Sequence, residues 1–304
     1  MSEAPTLVEQ LRSSFEQFTP SEKRVARALI ADYPVAGLGP VHNLAEQANV
    51  SAPTVLRLLS KLGYRAYSQM QEQLRSEISM RRWSAIDEYR DQSSHKSERG
   101  TSDADALLSR AEEILVSGLQ GAFGSTPRGE FSAVVKLLAN SKRDVWILGG
   151  RYSGLTAEYL AQHLRLMRKG VHFISSAESD RSFSLLDLAS RDVVIGFDFR
   201  RYQQSTVRFL ERAKMAKCSV VLITDPWLSP ASRYADHLLS ASVKGPSPFD
   251  SIVPTFAVVE ALITGIYEEL GTSPQNRIEQ FDQSENDYLL TNLNNTSTTD
   301  TDQR

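Results

Sequence analysis

Two hydrophobic rhythms divide the chain. From Leu7 to about residue 80, apolar residues recur three and four apart, the spacing of amphipathic helices. From about residue 145 they gather instead into short apolar runs: Val145–Leu148, Val171–Ile174, Val193–Phe197, Val220–Ile223 and His237–Ser240. Helical stretches separate them: Ala106–Phe123 and Phe131–Asn140 before the first run, then Ser153–Lys169, Leu185–Leu188, Val207–Ala216 and Ile252–Leu270. In the helix from Ser153, the residues Leu155, Tyr159, Leu160, Leu164 and Met167 are expected to face inward. Strands alternating with helices predict a parallel sheet covered on both faces. The polar segments Asp91–Asp105 and Asn292–Arg304 have no period. The expected organisation is therefore a helical domain over 1–80, a linker over 81–105, an α/β domain over 106–271 and a largely disordered tail over 272–304.

Within the helical part, Leu7, Leu11, Phe15 and Phe18 form one stripe. Thr19-Pro20-Ser21-Glu22 is a helix start with the cap-to-acid spacing of a capping box, continued by Val25, Ala28, Leu29 and Tyr33. The segment from Val41 to Gly63 reads as two short helices around a tight turn. Leu44, Ala45 and Ala48 line the first, and Val50 plugs the turn. Ser51 is placed to cap the second through its hydroxyl, with Pro53 in its first turn. Val55, Leu58, Leu59 and Leu62 pack it back onto the first, and Gly63 ends it. This is the pattern of a helix-turn-helix, whose second helix enters the major groove of double-stranded operator DNA. An ordinary helical hairpin shares the spacing. The small Ala45, the outward set Ala52, Thr54, Arg57 and Lys61, and the following Arg65 and Tyr67 favour DNA. Ser51, Ala52, Thr54, Arg57, Lys61, Arg65 and Tyr67 are thus the candidate DNA-binding residues, with Thr54 and Arg57 near bases and Lys61 near phosphate. After Gly63, Tyr67, Met70, Leu74 and Ile78 mark a fifth helix.

Charge changes this picture little. The net charge is −3, so a DNA surface has to come from local segregation of Arg57, Lys61, Arg65 and Arg75. No apolar run reaches membrane-span length, and the opening MSEAPTLVEQ lacks the basic start and apolar core of a signal peptide. The one cysteine, Cys218, lies in an apolar run and reads as a buried reduced thiol, which points to the cytoplasm.

The α/β part offers a candidate anion site. Gly149 and Gly150 follow the first strand and allow close backbone approach, and Ser153 supplies a hydroxyl at a helix start, where free N–H groups favour phosphate or carboxylate. GGRYSG lacks the third glycine of a dinucleotide fingerprint, and no acid ends the second strand, so no cofactor is expected. After the third strand comes Asp198-Phe199-Arg200-Arg201-Tyr202-Gln203. Arginine forks suit carboxylate and phosphate. Gly149, Gly150, Arg151, Ser153, Asp198, Arg200 and Arg201 are the candidate effector-binding residues.

Residues 144–160, DVWILGGRYSGLTAEYL, resemble the opening of a sugar isomerase (SIS) domain, and Ser229-Pro230-Ala231 with Ala235-Asp236 resembles the segment after that domain's fourth strand. With the helix-turn-helix in front, the chain resembles an RpiR-type bacterial transcriptional regulator over about residues 5–270. The resemblance implies an all-α helix-turn-helix domain followed by an α/β SIS domain. It also implies operator binding as an oligomer, here a homodimer or homotetramer, and a response to a small anionic metabolite such as a phosphosugar; a repressor is expected. The loop at Asp198–Gln203 departs from the family's S-x-S-G-x-T, which implies a changed specificity or a lost ligand role. The alternatives are a sugar-phosphate isomerase using Glu260, His163 or His172, and a DNA-bridging protein without a ligand. No catalytic or metal constellation appears in the sequence.

Overall fold

The computed structural model describes residues 5–82, Ile86 and residues 104–285. Capping boxes start the first two helices, α1 (Leu7–Ser13) and α2 (Pro20–Ala31). In each, the threonine hydroxyl (Thr6, Thr19) accepts the N–H of the glutamate three residues on, and that carboxylate (Glu9, Glu22) accepts the threonine N–H. Each cap is worth about 1 kcal/mol. The stripe from Leu7 breaks after Ser13, and a 3₁₀ turn over Phe15–Gln17 still delivers Phe18 to the core. α3 (Val41–Gln47) and α4 (Ala52–Lys61) form the helix-turn-helix, and α5 (Tyr67–Arg82) packs beside them. The turn needs a left-handed residue, and Asn49 supplies it at φ 51°, a conformation Asn tolerates.

In the second half, α6 (Ala104–Ser125) and α7 (Arg128–Ala139) lead into a five-stranded sheet. Its elements in chain order are β1 (Val145–Gly149), α8 (Ser153–Met167), β2 (Val171–Ile174), α9 (Glu178–Asp187), β3 (Val193–Asp198), α10 (Gln204–Met215), β4 (Ser219–Thr224), β5 (His237–Ser240) and α11 (Val253–Leu270). All pairings are parallel, in the order β2-β1-β3-β4-β5. Strand residues alternate between two cores, as the pleat requires. Val145, Ile147, Val193, Ile195, Val221 and Ile223 join α6, α7, α8 and α11 on one face. Trp146, Leu148, Val194, Val220 and Leu222 join α10 on the other, and that cluster continues without a break into the helical part.

Two expectations need adjustment. Leu155 is 55% exposed, because the inward stripe of α8 is Thr156, Ala157, Leu160, Ala161, Leu164 and Met167. Residues 275–285, at the start of the expected tail, are helical, and Arg277 Nε donates to the Arg165 carbonyl at 2.5 Å. The segment is too polar for a hydrophobic period to reveal it. Most of the expected linker and the tail from 292 lie outside the described residues. Cys218 is buried as expected. Burial pushes its thiol up to about 11, helped by Asp192, so it is an unreactive core residue. Among the described residues, no helix is long and apolar enough to cross a membrane.

Candidate functional site

The sheet order sets where a ligand site belongs. The chain passes from β1 outward to β2, then returns to β3 on the other side of β1. The carboxyl ends of β1 and β3 therefore form a switch point, the crevice where open parallel sheets bind ligands. A cleft of about 410 Å³ opens there. Gly150, Arg151, Tyr152 and Ser153 line it from the β1 loop, and Asp198, Phe199, Arg200, Arg201 and Gln203 from the β3 loop. Val243, Phe249, Asp250 and Ile252, between β5 and α11, close the third side. Six of the seven candidate effector residues thus meet in one cavity. The seventh, Gly149, lies behind it, where its carbonyl accepts Arg181 Nη2 at 2.8 Å.

Hydroxyls expected to face the ligand have other work. Ser153 Oγ accepts the Gly150 N–H at 2.7 Å and donates to the Phe197 carbonyl at 3.0 Å, tying the β1 loop to β3. The Ser153 hydroxyl thus anchors the loop, while the residue itself lines the cleft. Asp198 is similarly committed. Its carboxylate accepts Ser229 Oγ at 2.5 Å and the Gln203 N–H at 3.0 Å, with 2% of the residue exposed. Burial pushes its carboxyl up to about 7, and nearby Asp225 adds to the rise; the bonds from Ser229 and Gln203 and the charge of Arg181 pull the other way.

The arginines divide. Arg200 Nε donates to Asp250 Oδ1 at 2.6 Å, Nη2 bonds the same oxygen, and the side chain is 8% exposed. The guanidinium also lies over Trp227, 5.6 Å from the ring centre. Arg201, left-handed at φ 68°, is half exposed and stands 3.8 Å from Asp250 Oδ2. Arg151 is exposed, with no hydrogen bond or ion pair among the described residues. Sequence reasoning missed Asp250, Gln203 and Arg181. Buried Arg181 bridges the Gly149 carbonyl and Thr206 Oγ1, and burial pulls its guanidinium below the ordinary value against the pull of Asp198. A local signal for Asp250 did not exist, since it sits fifty residues from Arg200.

The catalytic alternatives lie elsewhere. Glu260 accepts the Tyr159 hydroxyl, His163 lies tilted against the Tyr159 ring, and His172 pairs with Asp144 at 2.9 Å while stacking on Trp146. None of the three lines the cleft. A larger recess of about 790 Å³ lies between the helical part and α6. Its lining includes Glu9, Glu77, Arg110, Glu113 and Lys244 but none of the candidate effector residues. No group of His, Cys, Asp or Glu suited to a metal occurs among the described residues.

On α4, exposure sorts the DNA candidates. Ser51, Arg57, Lys61 and Arg65 are exposed and Ala52 half-buried. Ser51 holds the N-cap position, but its hydroxyl lies 3.1 Å from Thr54 Oγ1 and caps no backbone N–H. Thr54 is 7% exposed and its hydroxyl accepts Arg57 Nη2 at 3.1 Å, which corrects it from base contact to support for Arg57. The Tyr67 hydroxyl is buried, so it is a core group. Lys61 Nζ donates to Glu22 Oε2 at 2.8 Å. Burial pushes Glu22 up, and the bonds from Lys61 and Thr19 outweigh it and hold its carboxyl below the ordinary range. Leu56, 44% exposed beside Arg57, was not anticipated. An apolar contact there suits a thymine methyl.

Residues 6–81 match the family described as "Helix-turn-helix domain, rpiR family", and residues 137–265 match the SIS domain. An uncharacterized HTH-type transcriptional regulator of Haemophilus influenzae is 24% identical over 257 residues, 83% of this chain and 85% of that protein. A second, from Thermotoga maritima, is 22% identical over 280 residues, 91% and 96% of the two. The sugar isomerase domain of an RpiR transcription factor from Sphaerobacter thermophilus covers 58% of this chain and 98% of its own at 24% identity, with a TM-score of 0.53. The Vibrio vulnificus NanR protein, solved in complex with ManNAc-6P, covers 92% and 97% at 19% identity, with a TM-score of 0.51. At these identities the solved structures establish the fold.

Proposed function

We propose, for a chain that belongs to the RpiR-type transcriptional regulators, that its SIS cleft senses a small anionic metabolite and thereby sets the operator affinity of α4, acting as a repressor in the cytoplasm. The observation that carries this reading is the convergence of Arg151, Arg200 and Arg201 on one cavity at the β1/β3 switch point. Guanidinium forks near a helix start recognise phosphate or carboxylate. Sugar phosphates are the first class to try, because a protein of the same fold was solved with one. On the DNA side, Arg57 is the base-reading residue, steadied by Thr54, with Leu56 beside it and Arg65 on phosphate.

One helix-turn-helix reads few base pairs, so the working unit is a homodimer or a tetramer on a palindromic operator. The exposed apolar residues Leu108, Val116 and Phe123 of α6 supply a face for pairing. The test has two steps. An operator is selected from random duplexes with the full chain, and its affinity is then titrated by fluorescence anisotropy against a panel of sugar phosphates and hydroxy acids. A ligand must favour one DNA-binding state to shift the equilibrium, so a panel without any effect overturns the sensing role. Sedimentation of the same samples reads the oligomer.

An isomerase is the second reading, and Asp198 is the observation in its favour. A carboxyl near neutrality in a ligand cleft is the usual condition of a general acid or base. Its oxygens, however, are engaged by Ser229 and Gln203. Turnover of phosphosugars followed by NMR separates the two.

A further inference from the structure

We infer that Asp250 is a tethered stand-in for the effector's anionic group, occupying Arg200 until a free anion displaces it. The inference rests on the sensing role proposed above and names how the cleft is regulated. Arg200 is a nearly buried cation, and a desolvated guanidinium requires a counter-anion. Asp250 supplies it. Asp250 Oδ1 takes Nε and Nη2 of Arg200, and Oδ2 faces Arg201 at 3.8 Å. A carboxylate held between two guanidinium groups has the geometry of a bound carboxylate or phosphoryl group.

The carrier of Asp250 is built to deliver and release it. Residues 241–252 run from β5 to α11 without helix or strand. The segment closes on itself, with the Ser251 N–H donating to the Val243 carbonyl at 2.9 Å. Gly245 approaches the Phe249 carbonyl so closely that a Cβ would stand 2.4 Å from it. Val243 anchors one end in the core, whereas Phe249, next to Asp250, is 71% exposed. Among the described residues, the hydrogen bonds of the tip run within the segment itself, apart from the arginine pair. Arg151 and the outer side of Arg201 remain open to an incoming anion, which then competes with Asp250 for Arg200. Expulsion of Asp250 frees the tip and with it the approach to α11.

The competition predicts a tighter cleft when the tethered anion is neutralised. Isothermal titration of the full chain with inorganic phosphate at low ionic strength reads this. Asp250→Asn is expected to bind phosphate about tenfold tighter or more than wild type, since the ligand no longer breaks a charge-assisted pair. Adding Arg200→Gln to Asp250→Asn should remove the gain. Equal or weaker binding by Asp250→Asn overturns the inference, as does absence of phosphate binding in both proteins. Should Asp250→Asn fail to fold, hydrogen exchange of the wild type decides: phosphate must speed exchange of the Ser251 amide, and slowed or unchanged exchange overturns the inference. The sensing role is judged separately, by metabolite-dependent operator affinity of the wild type, so either can fail alone.

Discussion

The two loops of the cleft draw on different segments to satisfy their polar groups. In the β1 loop, Ser153 Oγ accepts an N–H from Gly150, three residues away, and its one distant bond runs to the Phe197 carbonyl of the central strand β3. In the β3 loop, Asp198 is held by Ser229, Arg200 by Asp250 and Tyr202 by Asp225, partners 31, 50 and 23 residues distant. A loop closed by its own residues and tied to the central strand keeps its shape when the outer segments shift. A loop held from two other segments, the one after β4 and the one before α11, changes when either of them moves. The β1 loop is therefore the fixed jaw of the cleft and the β3 loop the responsive one.

The strongest break of this contrast is steric. A Cβ on Gly149 would stand 2.7 Å from backbone atoms of Ser153 and Gly154, so neither side can yield. Gly149→Val is expected to cost more than about 3 kcal/mol in urea unfolding. At Gly150 the nearest atoms belong to the flexible Gln203 side chain. Gly150→Ala should cost less than about 1 kcal/mol, yet narrow the cleft. Equal losses for the two would remove the distinction between a rigid and an adaptable jaw.

Next in size is the titration of the β3 loop. The folded chain holds the Asp198 proton up to about pH 7, whereas a free carboxyl releases it near 3.8. Between those values the folded state binds more protons than the unfolded, so stability falls as pH rises through the window. The swing should be on the order of 2–3 kcal/mol. Asp198→Asn should flatten it. A wild-type stability that rises between pH 4 and 7, with Asp198→Asn following it, would refute the buried-proton account.

The same division of local and distant partners recurs on α4, with smaller effects. Lys61 neutralises buried Glu22, 39 residues away. Lys61→Ala should cost about 1–2 kcal/mol, because it strips a buried carboxylate of its cation. The depressed Glu22 carboxyl gives stability at neutral pH that is lost as pH falls through its folded value, so the mutational cost should shrink in acid. Among the described residues, Arg57 bonds only Thr54, one turn back. Arg57→Ala should change thermal stability by less than about 0.5 kcal/mol. Its operator affinity should drop about tenfold or more. Loss of stability with unchanged affinity would make Arg57 a structural residue.

Local pairing is also what made parts of the molecule legible in the sequence. The capping box at Thr19–Glu22, the left-handed Asn49, the alternation of strands and helices and the glycine loop after β1 all follow from residues a few positions apart. Periodicity likewise placed Arg57 outward. It misjudged Thr54, because one helical position cannot tell solvent from the flank of a neighbouring helix. It misjudged Leu155 because an apolar residue at the first turn of α8 fits either face. The cleft loops were found as loops, but their chemistry depends on Asp250, Ser229 and Arg181, brought in by the sheet. Arg200 therefore read as a free cation although its charge is already compensated.

The apolar cluster that runs from α1–α5 into the sheet bears on how the protein comes apart. Leu7, Leu11 and Leu74 share one core with Trp146, Leu222 and Leu238. Thr6 Oγ1 donates to the Pro226 carbonyl at 3.3 Å, and Arg12 Nη1 donates to the Leu238 carbonyl at 2.7 Å. Burial pulls the Arg12 guanidinium below its ordinary value, against the attraction of Glu130, as expected for a charge committed to an interior. Two sequence domains built this way melt as one calorimetric unit, with a van't Hoff enthalpy matching the calorimetric one. Cutting the chain between α5 and α6 leaves each fragment with a raw apolar face, so the halves are poor candidates for separate expression.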